Sequence, residues 1–198
     1  HGIGFLTPDG LVRMDENFQR VEAVRGGSSA VFASNAPGGV FNHITKKGTP
    51  DPHGVVKAEW GNFNHFRGDV FYSGPLAENT SFTLGGFYRA SDGVRDPGFR
   101  GDEGGQARLS VTRQWDRGDL TVYGRFLDDQ NIFYLPVPLG LDGSGDLTGI
   151  PGLDPNFDTL VSDDIRLAQL VQPGGQSQTF DLSRGINNRN VTVGAELR

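Results

Sequence analysis

Few residues in this chain have the types and spacing that chemistry needs. Asp142, Ser144 and Asp146 follow the one-three-five spacing of a calcium-binding loop. Such a loop turns on a glycine at its sixth position and closes with a glutamate at its twelfth. Here those positions are Leu147 and Leu153, so no calcium site is expected. His1, His43, His53 and His65 are scattered, with no HExxH and no zinc spacing. Asp128-Asp129 and Asp163-Asp164 are adjacent carboxylates, read as lying on loops, and nothing sets two carboxylates opposite one another. A phosphate-cradling glycine loop and a GxSxG elbow are both missing from the sequence, and it has no cysteine. The expectation is no enzyme, no catalytic residue, no metal and no cofactor.

The remaining chemistry is ionic. Arg20, Glu22 and Arg25 sit on one short alternating run, while Lys57, Glu59, Arg67, Asp69, Arg89, Arg108 and Arg125 fall on the polar faces of later ones. A net charge of −6 leaves no basic stripe to neutralise phosphates, which argues against nucleic acid.

The elements that position these charges come from periodicity. Arg20–Arg25 alternates as a strand does. Gly26-Gly27 interrupts it, and Ser28 is placed to cap a short helical segment over residues 28–33. Asn35-Ala36-Pro37-Gly38-Gly39 reads as a turn, and residues 40–46 as a second strand, followed by the basic pair Lys46-Lys47. From His53 onward six longer alternating runs follow: 56–60, 66–76, 80–91, 106–115, 119–129 and 189–198. One face of these carries Val56, Trp60, Val70, Tyr72, Leu84, Tyr88, Leu109, Val111, Val122, Phe126, Val191 and Val193. The other carries the charges, with Phe71, Phe87, Tyr123 and Leu127 as apolar exceptions.

Each run is about 10 residues. Tilted near 45° at ~3.4 Å per residue, it spans roughly 24 Å, close to the ~25 Å apolar band of an outer-membrane barrel. No window of 18 apolar residues marks a transmembrane helix, and a β-barrel would not need one. A short loop joins Trp60 to Phe66, and after it tight turns (Gly74–Asn79, Asp116–Gly118) alternate with longer connections (92–105, and a very long one at 131–188), as in bacterial barrels. Within the longest, 159–170 is expected to form a short helix and 142–146 to be irregular. Of the 198 residues 30 are glycine and 35% are hydrophobic. Both values suit a fold whose polar residues also face inward.

The stretch VEAVRGGSSAVFASNAPGGVFNHITKKG, residues 21–48, resembles the end of the plug domain of TonB-dependent outer-membrane receptors. The family pattern is matched by Val21, Glu22, Val24, Arg25, Gly26, Ser28, Gly38, Gly39, Val40, Asn42, Ile44, Thr45 and Lys46. Gly26-Gly27 stands for the family's Gly-Pro, and Ala33-Ser34 for its Tyr-Gly. The turn Ser73-Gly74-Pro75-Leu76 is similar to turns of the same barrels. The resemblance covers residues 12–130 and only weakly the long loop.

It implies an all-β fold class: part of a transmembrane antiparallel β-barrel of about 22 strands, preceded by the C-terminal part of a small α+β plug. Residues 1–50 would end the plug and 51–198 supply the first six or so strands, making the chain a fragment of a longer one. It implies energy-coupled uptake of a scarce ligand across the outer membrane of a Gram-negative bacterium, with a ferric siderophore or other iron complex as the favoured ligand. Vitamin B12 and oligosaccharides stay open. The implied partners are outer-membrane lipid, the small-molecule ligand and an inner-membrane energy-coupling complex reached through an N-terminal segment. Glu22 and Arg25 match plug residues that pair with charges on the barrel wall, and Arg20, Glu22 and Arg25 are the candidate plug–barrel ionic contacts. Arg95, Arg100, Phe133 and Tyr134 fall at the outer mouth as candidate ligand contacts. The competing expectation is a soluble all-β binding module, lectin-like, in which the same apolar residues fill a sandwich core.

Overall fold

A computed structural model describes residues 12–25, 39–95, 97–132, 134, 137–160, 167–171 and 174–198. The expected helical turn at 28–33 and its Ser28 cap, the turn at 35–38, Phe133 and Asp163-Asp164 lie outside the described residues. Those described are all-β, with one short 3-10 turn, Leu182–Arg184, and no α-helix among them. β1 (Phe18–Arg25) and β2 (Gly39–Thr45) pair antiparallel as a small two-stranded sheet. The main body is one six-stranded antiparallel sheet. Its strands are β3 (His53–Gly61), β4 (His65–Ala77), β5 (Thr80–Ser91), β6 (Asp102–Trp115), β7 (Gly118–Asn131) and β12 (Ile186–Leu197). They neighbour one another in chain order, and β3 and β12 form the edges.

Between β7 and β12 the long connection builds two hairpins of its own. They are β8 (Gly140–Leu141) with β9 (Leu147–Thr148), and β10 (Leu167–Val171) with β11 (Ser177–Asp181). This corrects the helix expected at 159–170, because residues 167–171 are extended. The turn between β10 and β11 contains Gly174 and Gly175 at φ +106° and +82°. Two consecutive glycines in the left-handed region are a hairpin signal, and it outweighs the apolar spacing of the preceding segment.

The strand turns sort to two ends. At one end β4 passes to β5 through Glu78-Asn79, and β6 to β7 through Asp116-Arg117. Asn79 takes φ 55°, a conformation asparagine tolerates. At the other end lie 62–64, 92–101 and the connection 132–185.

Register fixes the two faces of the sheet. Val56, Val70, Gly86, Ala107, Phe126 and Val191 stand opposite one another across all six strands. Their face is bare: Val56 is 82% exposed and Val193 76%. On the opposite face Ser73, Thr83, Ser110, Thr112 and Thr121 are buried. Four of the hydroxyls satisfy one another, Thr83 with Ser110 at 2.6 Å and Thr112 with Thr121 at 3.0 Å, and Ser73 accepts the Thr49 backbone N–H at 3.0 Å. A buried hydroxyl is costly only without a partner. Phe71, Phe87 and Leu127, the apolar residues on this polar face, are buried with them.

Candidate functional site: an ionic seam on the polar face

The polar face is covered by the chain's own residues 13–18 and 46–49. Two glycines let this cover come close. A Cβ on Gly85 would stand 2.8 Å from the Asn17 amide, and one on Gly48 would stand 2.6 Å from the Ser81 hydroxyl. Asn17 is almost fully buried. Its carbonyl accepts the Lys46 backbone N–H at 2.7 Å, joining the two halves of the cover. Asp15 accepts the Asn17 backbone N–H at 2.9 Å and the Gln106 side-chain amide at 2.6 Å.

Charges rivet this cover down. Asp129, on β7, has no exposure. Its carboxylate accepts Arg89 Nε and Nη2, both at 3.0 Å, and Arg13 Nε at 2.5 Å. Asn131 accepts from both guanidiniums and donates to Asp102 at 2.8 Å. Each oxygen of the buried carboxylate therefore faces a cation from the sheet or from the cover. Glu16 pairs with Lys57 on β3 and, at 3.7 Å, with Lys46. Lys47 pairs with Asp119 at the short-turn end. Arg67 donates to Asp69 and to the Met14 carbonyl, each at 2.7–2.8 Å. Arg67 also lies 4.3 Å over the Phe87 ring, and Lys46 4.5 Å over Phe71. Cations over ring faces explain how aromatic residues sit among charges.

The sequence-predicted ionic residues fare differently. Arg20 and Glu22 pair with each other at 2.8 Å, both about half exposed, and Glu22 also accepts from Asn42 on β2. Their side chains meet within the β1–β2 sheet rather than on the six-stranded one. Arg25 closes β1 opposite Gly39. Of the charges on the six-stranded sheet, Lys57 and Arg67 meet a covering segment, residues 13–17, while Arg89 bonds Asp129 and Asn131 of β7 and shares them with Arg13. Arg108 takes the Phe18 ring at 5.1 Å, and Arg125 donates to Asn190 and Thr192. Asp128-Asp129 is not a loop pair, since both lie within β7. Alternation sends Asp129 to the covered face and Asp128 to the other, where it meets Arg189 at 3.6 Å.

At the long-connection end, Arg95 and Tyr134 form a brace. The Tyr134 hydroxyl accepts the Arg95 backbone N–H at 3.1 Å and donates to its carbonyl at 2.9 Å. The Arg95 guanidinium donates to the Pro155 carbonyl at 2.9 Å. Arg100 lies 3.8 Å from Asp92. The polar groups of Arg95 and Tyr134 are thus engaged in tying residues 92–95 to the long connection. Asp142 accepts backbone N–H groups of Ser144 and Asp146 at 2.8 and 2.9 Å, closing the β8–β9 tip. No group of acidic residues and histidines is arranged to hold a metal among the described residues.

Arg13 and Glu16 escape a reading of the sequence because residues 12–17 carry no periodic pattern. The basic pair Lys46-Lys47 is visible there, but its partners are not. Compared with known protein families, the chain matches no family model.

Proposed function

We propose that this chain is the end of the plug and the first strands of a TonB-dependent outer-membrane receptor, an energy-coupled importer of a scarce ligand. A ferric siderophore or another iron complex is the favoured ligand class. One observation carries the reading: burial is inverted. The row from Val56 to Val191 is bare, while the hydroxyl and charged face opposite is covered by residues 13–18 and 46–49. In water an apolar face of this extent is a liability. In a bilayer it is the face a strand must present. A soluble sandwich wants the reverse, with the apolar face against a second sheet and the polar face wet. Two short turns at one end, and the longer connections 92–101 and 132–185 beside the short turn 62–64 at the other, agree with a barrel. The resemblance over residues 21–46 supports the choice of family.

On this reading the seam is the plug–wall contact. Arg13, Glu16, Lys46 and Lys47 are the plug side, and Asp129, Lys57 and Asp119 the wall side. Ion pairs suit a contact that must hold at rest and yield under force, because they exchange for water with little change in shape.

The chain has no cysteine, so single cysteines report cleanly. Spin labels at Val70 and Val191 in the full chain, reconstituted in liposomes, are expected to collide with oxygen dissolved in lipid. Labels at Thr83 and Thr112 are expected to be shielded from it. Labels at Val70 and Val191 that meet only water-borne relaxant would sink the reading.

A further inference from the structure

We propose that the apolar face holds a specific site for one anionic phospholipid, in the leaflet on the side of the short turns. The proposal rests on the membrane reading above. Along the register row Gly54, Tyr72, Leu84, Leu109, Gly124 and Val193, every position inside the β3 edge but one carries a large side chain. At Gly124 that wall of side chains is interrupted, and a Cβ placed there would meet nothing within 4 Å. The gap opens a groove of about 470 Å³, walled by Leu109, Val111, Val122 and Val193. The groove runs along β6 and β7 towards the short-turn end, where it reaches Arg113.

Arg113 shares the apolar face, since it alternates with Leu109 and Val111, and it stands opposite Leu120. Its side chain makes no ion pair and no hydrogen bond among the described residues. It is exposed, as is Trp115 on the same face at the end of β6. A tryptophan in that place marks the level of the lipid headgroups. From Leu109 to Arg113 is about 14 Å of strand at ~3.4 Å per residue. An acyl chain therefore lies in the groove while its phosphate reaches the guanidinium.

Three features select this occupant. The walls are aliphatic, so they take a hydrocarbon chain. The open end carries one unpaired guanidinium, whose donor fork matches two phosphate oxygens. Glu78 and Asp116 of the short turns line the neighbouring depression without an ion pair to Arg113 among the described residues, so its guanidinium is left for the phosphate. At the opposite end of the same face Glu103 accepts from Tyr88 at 2.6 Å and Asp128 pairs with Arg189 at 3.6 Å. The cation at that end is already paired with a carboxylate, so the unpaired Arg113 orients the lipid.

The test is native mass spectrometry of the full chain, released from detergent after exchange with equal dioleoyl phosphatidylglycerol and dioleoyl phosphatidylcholine. The expected result is one retained phosphatidylglycerol on the wild type. Arg113→Gln and Gly124→Leu should each reduce it at least tenfold while heat-modifiable mobility stays unchanged. Leucine fits at position 124 because the space is open. Equal retention in both variants, equal retention of the two lipids, or a second copy of the chain in place of lipid each overturns the site. A chain that sodium carbonate strips from membranes overturns the membrane reading and the site with it. A chain that stays inserted but retains no lipid overturns the site alone.

Discussion

The two faces of the six-stranded sheet are built from the same strands by the same alternation, yet they obey opposite rules. One face is a bare array of Val, Leu, Tyr and Trp. The other buries serines, threonines and two aspartates, with arginines partly exposed beside them, under a cover made by the chain itself. Hydrophobicity therefore does not decide which face is inside. What decides is whether a covering segment satisfies the polar groups. Hydroxyl pairs, the Asp129 seam and cations over Phe71 and Phe87 supply that satisfaction here. The bare face has nothing over it among the described residues, and lipid is the medium proposed for it.

The largest effect is expected where the covered face depends on a single group. Asp129→Asn keeps the shape but removes the fully buried counter-charge of the part-buried Arg13 and Arg89. Breaking a buried pair of this kind costs about 3–5 kcal/mol. Denaturant unfolding of the full chain in liposomes measures it. A loss under ~1 kcal/mol, the scale of a surface pair, would mean that water enters the seam and that the two faces differ little in dryness.

Next comes a charge on the bare face. Val70→Arg puts a guanidinium in the central register row. At mid-bilayer depth this costs about 2–4 kcal/mol, while at a water-exposed surface it stays within about 0.5 kcal/mol. The same unfolding experiment therefore separates lipid from water as the medium of that face. A change in the smaller range would break the comparison at its root.

A smaller effect tests the rim of the seam. Lys47 and Asp119 pair at the short-turn end with side chains 29% and 22% exposed. A double-mutant cycle on these two is expected to give about 0.2–1 kcal/mol of coupling, decreasing with salt. Coupling as large as that of Asp129, or insensitive to salt, would show that the rim is as dry as the centre.

Much of this contrast is legible in the sequence. Strand β5 lies where alternation puts it, residues 80–91, and the other long strands differ chiefly by extension at their ends. Alternation also assigns the faces correctly, including the exceptions Phe71, Phe87 and Leu127, because side-chain direction follows from period two alone. The seam is illegible for a different reason. Arg13 meets Asp129 across 116 positions of sequence, and no local pattern reports such a pairing. Arg20 and Glu22 stand out instead, but their regular spacing reflects their pairing with each other along one strand. In the hairpin β10–β11, Leu167 and Leu170 suit either period and invite a helix, whereas Gly174-Gly175 carries the deciding signal.

That local pair of Arg20 and Glu22 supplies the finest test of the comparison, since it is the exposed counterpart of the seam. The Glu22 carboxyl is held below its ordinary value of 4.5, first by the hydrogen bond from Arg20. The positive charge of Arg20 and the Asn42 amide add to this, against an opposing effect of desolvation. A carboxyl whose value is lowered on folding adds stability fully above its unfolded value. It loses that contribution as pH falls through the lowered one. Glu22 is solvent-exposed, so its effect on stability is slight, and titration is the better readout. Following the Glu22 side-chain carbon by NMR should give a midpoint below 4.5, returning towards it in Arg20→Gln. Neither the Asp129 seam nor the unfolding transition should respond to that substitution. A Glu22 midpoint that ignores Arg20 would remove the local pair. The glutamate would then be available to the wall of the large sheet, where the family resemblance places it.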